Sequence, residues 1–249
     1  MKLFNFWLKT LLSKFGVIIR KKNQSWSFVP FVSTPEGFNQ ELLNKYEIDL
    51  ILDVGASTGY WAGNLRKNHY KGRIISFEPQ DSAYKKIAAR AKSDLNWDVV
   101  KVALGDKDEE ADFHLSKYSE SSSLSEMLKS HQDAFPESHF TNEKIQVKVQ
   151  KLDTLLPSIQ RKEVNIFAKI DAQGFEQKIL FGASKSLNKI KMLQLEMSFK
   201  KLYADDVLFQ EMYQYMYDLG FCLIHISPGF KNEKTSELLQ VDAIFLRNN

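Results

Sequence analysis

The chain has 249 residues, 43% hydrophobic and 26% charged, the balance of a soluble globular protein long enough for one α/β domain with an appendage. Cys222 is the only cysteine, which excludes an internal disulfide framework and a cysteine metal cluster and suits a reducing cytoplasm. The net charge of +3 is uneven: residues 1–24 hold six basic residues and no acid, leaving 28 basic against 31 acidic residues elsewhere, which is not the overall field of a nucleic-acid binder.

In residues 1–24, Leu3, Phe4, Phe6, Trp7, Leu8, Leu11, Leu12, Phe15, Ile18 and Ile19 recur at helical spacing with lysines between them. This pattern predicts a basic amphipathic helix. Its chemistry suits an anionic membrane surface and equally a helix packed on the domain or on a second copy in a homo-oligomer. Lys9 and Lys14 interrupt any membrane-crossing span, and no small-residue cleavage site follows. Residues 25–49 form a lead-in with the loop signals Pro30, Pro35 and Gly37 and a helix over Phe38–Tyr46.

The domain proper runs over residues 50–249. Leu50–Val54 reads as a buried strand, Gly55 and Gly59 break it, and Tyr60–Lys67 reads as a helix. A strand, a glycine turn and a helix opening at that turn make a mononucleotide-binding unit. Glycine lets backbone and ligand approach closely, and the helix start offers unpaired N–H groups to an anion. The spacing is G-x-x-x-G, not the G-x-G-x-x-G of dinucleotide enzymes. Asp53 precedes the turn, and the next strand, Arg73–Phe77, ends at Glu78-Pro79, where a carboxylate can accept both hydroxyls of a ribose.

Asp81–Lys92 reads as a helix and Trp97–Leu104 as a third strand, with Gly105-Asp106 ending it beside a ligand at the carboxyl edge of the sheet. Residues 107–150 break the alternation. Short strands at Ala111–Ser116 and Ile145–Leu152 flank a polar stretch carrying Ser119, Ser121, Ser122, Ser123, His131 and His139, expected as a lid-like insertion over the active site. The two histidines read either as catalytic or as solvated loop residues.

A further apolar strand ends at Asp171, followed by Gly174 and a helix from Glu176 to Gly182. Asp171 thus faces the crevice, and Glu176 occupies the first helical turn, where an acid stabilises the helix dipole. Lys191–Ser198 places Glu196 near its carboxyl end, to meet a ligand or a cation such as Lys169. A helix over Phe199–Leu219 and a closing strand pair, Phe221–Ile226 and Val241–Leu246, complete the chain. Asp171, Glu176 and Glu196 are the catalytic candidates, to orient an acceptor hydroxyl or take its proton.

Taken in order, Asp53-Val-Gly55-Ala-x-x-Gly59, Phe77-Glu78-Pro79, Ser121-Ser-Ser-Leu124, Leu152-Asp-Thr-Leu155, Lys169-Ile-Asp171-Ala-Gln-Gly174-Phe-Glu176 and Gln240-Val-Asp242-Ala-Ile-Phe245 resemble the FkbM family of class I methyltransferases. The resemblance spans about residues 50–247. It implies a Rossmann-like, mostly parallel seven-stranded sheet with a C-terminal antiparallel hairpin. It further implies S-adenosylmethionine-dependent O-methylation of a small-molecule or glycan hydroxyl, most in keeping with a sugar of a surface polysaccharide or glycolipid intermediate. On this reading Asp53, Gly55, Ala56, Gly59, Phe77, Glu78, Ala103, Leu104 and Asp171 bind S-adenosylmethionine. Mg²⁺ serves some sugar methyltransferases, and Asp171, Glu176 and Glu196 would offer it oxygens, but nothing in the spacing requires it. The alternatives are a nicotinamide- or nucleotide-sugar-binding oxidoreductase on the same fold and a non-catalytic membrane-associated scaffold. Tyr203, Phe199 and Phe230 are candidates to stack on a sugar ring.

Overall fold

The computed structural model describes residues 17–22, 25–30 and 35–248. Its centre is a seven-stranded sheet in the order β11-β12-β10-β9-β3-β4-β5. The strands are β3 (Leu50–Val54), β4 (Arg73–Phe77), β5 (Trp97–Val100), β9 (Ile166–Ile170), β10 (Ile190–Ser198), β11 (Phe221–Pro228) and β12 (Gln240–Arg247). The first five run parallel, whereas β12 pairs antiparallel with β10 and with β11. Every residue of β3, β4 and β9 is buried, as a sheet covered on both faces requires.

Side-chain alternation divides the core. Leu50, Leu52 and Val54 of β3 point to one layer with α5 (Leu152–Ile159), α6 (Glu176–Gly182) and α7 (Phe209–Asp218). Ile51 points to the other with α1 (Pro35–Lys45), α2 (Tyr60–Lys67) and α3 (Asp81–Ala91). Each fully buried aliphatic side chain of this kind contributes roughly 1.5–3 kcal/mol, so the sheet's carboxyl edge rests on a stiff foundation.

Four elements differ from the sequence reading. Val17–Lys22 is a strand, β1, paired antiparallel with β2 (Ser25–Pro30), rather than the tail of a helix. Its run Val17-Ile18-Ile19 is β-branched, which favours the extended form; residues 1–16 of the expected helix lie outside the described residues. The third strand splits at Lys101, where the Val102 N–H donates to the Val100 carbonyl at 3.0 Å in a turn of γ type. Ala103–Leu104 then becomes β6 of a separate sheet, order β6-β8-β7, with β7 (Glu109–Ser116) and β8 (Phe140–Gln150).

The expected strands at Ala111–Ser116 and Ile145–Leu152 are β7 and β8, which pair antiparallel as a hairpin, and the polar stretch between them carries a short helix, α4 (Lys129–Ala134). The helix expected from Phe199 starts only at Phe209, because Asp206 Oδ2 accepts the N–H groups of Leu202 (2.6 Å) and Tyr203 (2.9 Å) and folds that stretch into a turn.

Candidate functional site

A cavity of about 610 Å³ opens at the carboxyl ends of β3, β4, β9 and β10 and is walled by the insertion and by the β11–β12 loop. At its floor the turn after β3 uses left-handed backbone at Gly55 (φ 72°), Ser57 (φ 48°) and Gly59 (φ 72°). Gly55 has a steric reason beyond its torsion. A Cβ there would lie 1.8 Å from the Asp171 carbonyl oxygen, so glycine lets the β3 turn and the β9 end touch backbone to backbone.

Glu78, at the tip of β4, is 5% exposed. Its Oε2 accepts the Ser57 N–H and its Oε1 the Gln80 N–H, each at 2.8 Å. Burial pushes its pKa up to about 7 against the pull of those two N–H groups. The Ser57 hydroxyl is buried with no hydrogen-bond partner among the described residues and lines the cavity. Phe77, Ala103 and Leu104 line the wall beside Glu78.

The acids form a second focus. Lys169, on β9, lies 3.1 Å from Asp171 Oδ2 and 3.9 Å from Asp53 Oδ1. Burial opposes its charge, but Asp171 and Asp53 outweigh that and hold its pKa above the ordinary lysine value. Asp53 is fully buried, held by the Ser76 hydroxyl at 2.9 Å, which accepts the Trp97 indole N–H at 3.0 Å. Burial raises its pKa, partly offset by Lys169 and Ser76.

Gln173, in left-handed conformation (φ 55°), is the organiser of this end. Its Nε2 donates to Asp171 Oδ1 (2.9 Å) and to Glu196 Oε2 (2.8 Å), and its Oε1 accepts the Tyr203 hydroxyl (2.9 Å). Gln240 Nε2 also donates to Glu196 Oε2, at 3.0 Å. Glu196 therefore rests on two amides rather than on Lys169. Burial, with the charges of Asp171, Glu176 and Asp242, pushes its pKa well up, which favours the protonated acid.

Of the expected site residues, Gly55, Ala56, Phe77, Glu78, Ala103, Leu104, Asp171 and Glu196 line the cavity. Asp53, Gly59 and Glu176 stand behind it. Gly59 caps α2. Glu176 Oε1 and Oε2 accept the N–H groups of Ala172 (2.7 Å) and Gly174 (3.1 Å), closing the 171–175 turn on itself; burial raises its pKa to about 8. Among the aromatic candidates Phe230 lines the cavity. Tyr203 is buried beneath it, and Phe199 is 46% exposed away from it.

The two histidines separate: His139 is exposed, whereas His131 is buried and reaches the cavity. Ser123 Oγ donates to the Gln173 carbonyl at 2.8 Å, so the serine-rich run fastens the insertion to the acid-bearing turn. Sequence reasoning gave Ser57, Gln173 and Gln240 no role; the excess of amides beside strand-end acids was the available signal. Among the described residues no group of three or more His, Cys, Asp or Glu side chains is arranged to hold a metal ion.

Residues 53–223 match the family described as Methyltransferase FkbM domain. No curated protein matches the chain. Among solved structures, the plantazolicin methyltransferase BamL, in complex with a triazolic desmethylPZN analogue and SAH, is similar at TM-score 0.50 and 9% identity, over 86% of this chain and 83% of that one. An S-adenosylmethionine-dependent methyltransferase from Clostridium acetobutylicum superposes at TM-score 0.48 and 9% identity, over 86% of this chain and 91% of that one. The Methanococcus jannaschii fibrillarin pre-rRNA processing protein does so at 0.49 and 12%, over 93% and 82%. At 9% identity the BamL structure speaks to the fold alone, and the family match speaks to kind. The chain belongs to the FkbM family of class I S-adenosylmethionine-dependent methyltransferases.

Proposed function

We propose that this enzyme methylates a hydroxyl oxygen, and that the hydroxyl belongs to a saccharide. One observation carries the reading: a single cavity is lined both by Glu78 and by the pair Asp171 and Glu196. Glu78, with both oxygens fixed by backbone N–H groups, would hold the ribose hydroxyls of the cofactor, and the unpartnered Ser57 hydroxyl fits a polar ligand there. Gly55, Ala56, Phe77, Ala103 and Leu104 would pack around the nucleoside.

S-adenosylmethionine supplies an electrophilic methyl group on a positively charged sulfur. The protein's own part is to place the acceptor and to manage one proton. Asp171, pinned by Lys169 and Gln173, still has lone pairs on both oxygens and would accept the hydroxyl proton as the acceptor oxygen becomes nucleophilic. Glu196, whose ionised form burial disfavours, would share a hydrogen bond with a neighbouring oxygen of the acceptor. Holding the acceptor in one orientation supplies much of the rate. Glu176 does not line the cavity and acts by shaping the turn that carries Asp171.

Calorimetric titration of the protein with S-adenosylhomocysteine, alongside Glu78→Ala, tests the cofactor assignment. Micromolar binding lost in the variant supports it; undiminished binding in Glu78→Ala refutes the ribose assignment. Asp171→Asn should bind S-adenosylhomocysteine normally and transfer no methyl group.

The run of six basic and twelve apolar residues in 1–24 supports peripheral contact with an anionic membrane, where lipid-linked glycans would be at hand. No helix among the described residues is long and apolar enough to cross a membrane. Sedimentation with vesicles containing one-third phosphatidylglycerol, compared with a chain lacking residues 1–16, tests this; equal partition of the two chains refutes it.

A further inference from the structure

The cavity is also lined by rings in contact. Tyr118 meets Phe135 edge-on at 5.4 Å, Phe135 meets Phe230 at 6.3 Å, and Phe230 stacks on His131 at 5.3 Å with 24° between planes. His131 in turn sits edge-on to Tyr203 at 5.2 Å, and the Tyr203 hydroxyl is bonded to Gln173, which holds Asp171 and Glu196. The aromatic wall thus ends at the acids.

Within this wall His131 is anomalous. It is 3% exposed and lines the cavity, and neither Nδ1 nor Nε2 has a hydrogen-bond partner among the described residues. Two unmet polar atoms in a buried ring are costly to fold. Burial lowers its pKa to about 4, so the ring is neutral at pH 7, with one nitrogen donating and the other accepting. The backbone holds the side chain in place: the His131 N–H donates to the Leu128 carbonyl at 3.1 Å, and the Leu128 N–H donates to the Leu202 carbonyl at 2.8 Å.

We propose that His131 is the specificity-determining residue of the acceptor subsite: a pyranose ring lies against the Phe230–Phe135 wall, and the imidazole exchanges a hydrogen bond with a ring hydroxyl other than the one methylated. This rests on the saccharide reading above and adds the residue that selects the ring. A pyranose has apolar C–H faces for an aromatic wall and hydroxyls that both donate and accept, which suits a neutral imidazole. Discrimination arises because an acceptor lacking that hydroxyl leaves the buried nitrogens unmet.

The test uses enzyme saturated with S-adenosylhomocysteine and four probes, the methyl glycosides of glucose, galactose, mannose and rhamnose, followed by saturation-transfer NMR. At least one probe should bind, and His131→Phe should weaken it by about tenfold or more while S-adenosylhomocysteine affinity stays within twofold. His131→Asn and His131→Gln place amide atoms near Nδ1 and Nε2 respectively, so one of the two should restore binding and the other should not. Equal binding by His131→Phe, loss in both amide variants, or no binding of any probe to the cofactor-loaded enzyme would overturn the proposal. Failure of S-adenosylhomocysteine itself to bind would instead refute the assigned cofactor site.

Discussion

Raising the pH from 6 to 8 is expected to tighten S-adenosylhomocysteine binding about tenfold, through one residue. Burial lifts the Glu78 pKa from 4.5 to about 7, opposed by the Gln80 and Ser57 N–H groups, with a further rise from the charge of Asp53 and a fall from Lys169. Ribose hydroxyls donate to a carboxylate, so the ligand selects the ionised form and the apparent affinity follows its fraction. That fraction is about one-eleventh at pH 6 and ten-elevenths at pH 8, a ratio near ten or about 1.4 kcal/mol. Calorimetry at pH 6, 7 and 8 measures it, with Glu78→Gln as the control: binding should be weaker and independent of pH. A flat profile in the unmodified protein, or a slope that survives in Glu78→Gln, refutes the reasoning. The unliganded protein carries the opposite sign. Because the folded pKa is raised, the contribution of Glu78 is fully present below pH 4.5 and is lost as pH rises through about 7, by about 3 kcal/mol.

Three substitutions probe the rest of the site. Gly55→Ala brings a Cβ to 1.8 Å from the Asp171 carbonyl at a left-handed torsion. One backbone must retreat by more than an ångström, so loss of cofactor binding with a stability cost of roughly 1–3 kcal/mol is expected, seen by titration and thermal melting. Gln173→Leu removes the amide that holds Asp171 and Glu196, and turnover should fall about 10²-fold while S-adenosylhomocysteine affinity changes little; equal losses in both would reassign Gln173 to folding. Glu176→Ala strands the Ala172 and Gly174 N–H groups and should cost about 2–4 kcal/mol in chemical denaturation, whereas Glu176→Gln, which retains an acceptor, should cost less.

Strands and the turn glycines were legible because their signals are local. Leu50–Val54 is apolar but for Asp53, and Gly55 and Gly59 mark the turn after it, although the contact that requires glycine at 55, the Asp171 carbonyl, lies far along the chain. Which residues reach the ligand was less legible, because strand-end residues alternate between facing the crevice and facing the layer beneath it. Asp53 shares a motif with Gly55 yet points down to Ser76 and Lys169. Glu176 and Glu196 read alike as acids near the crevice, yet one closes its own turn and the other meets amides from Gln173 and Gln240. Those partners lie 23 and 44 residues away from Glu196, a separation at which composition and periodicity are silent. Residues 199–208 carry helix-like spacing and still fold as a turn, because Asp206 captures two backbone N–H groups.

The 171–175 turn gives the site its unity. Its Asp171 N–H donates to the Val54 carbonyl at 3.2 Å, beside the Gly55 turn that leads to Glu78. Its Gln173 side chain reaches the Tyr203 hydroxyl, and its backbone receives Ser123 from the insertion. Gly174, at φ 91°, has no room for a Cβ, which would fall 2.4 Å from that of Tyr203. The residues proposed to hold the cofactor and the wall proposed for the acceptor are therefore positioned by the same few residues. A displacement that misplaces Asp171 by an ångström must shift Gln173, and through it Tyr203 and the rings above. Methyl transfer needs the acceptor oxygen in line with its donor, and a shared turn ties both to one reference frame.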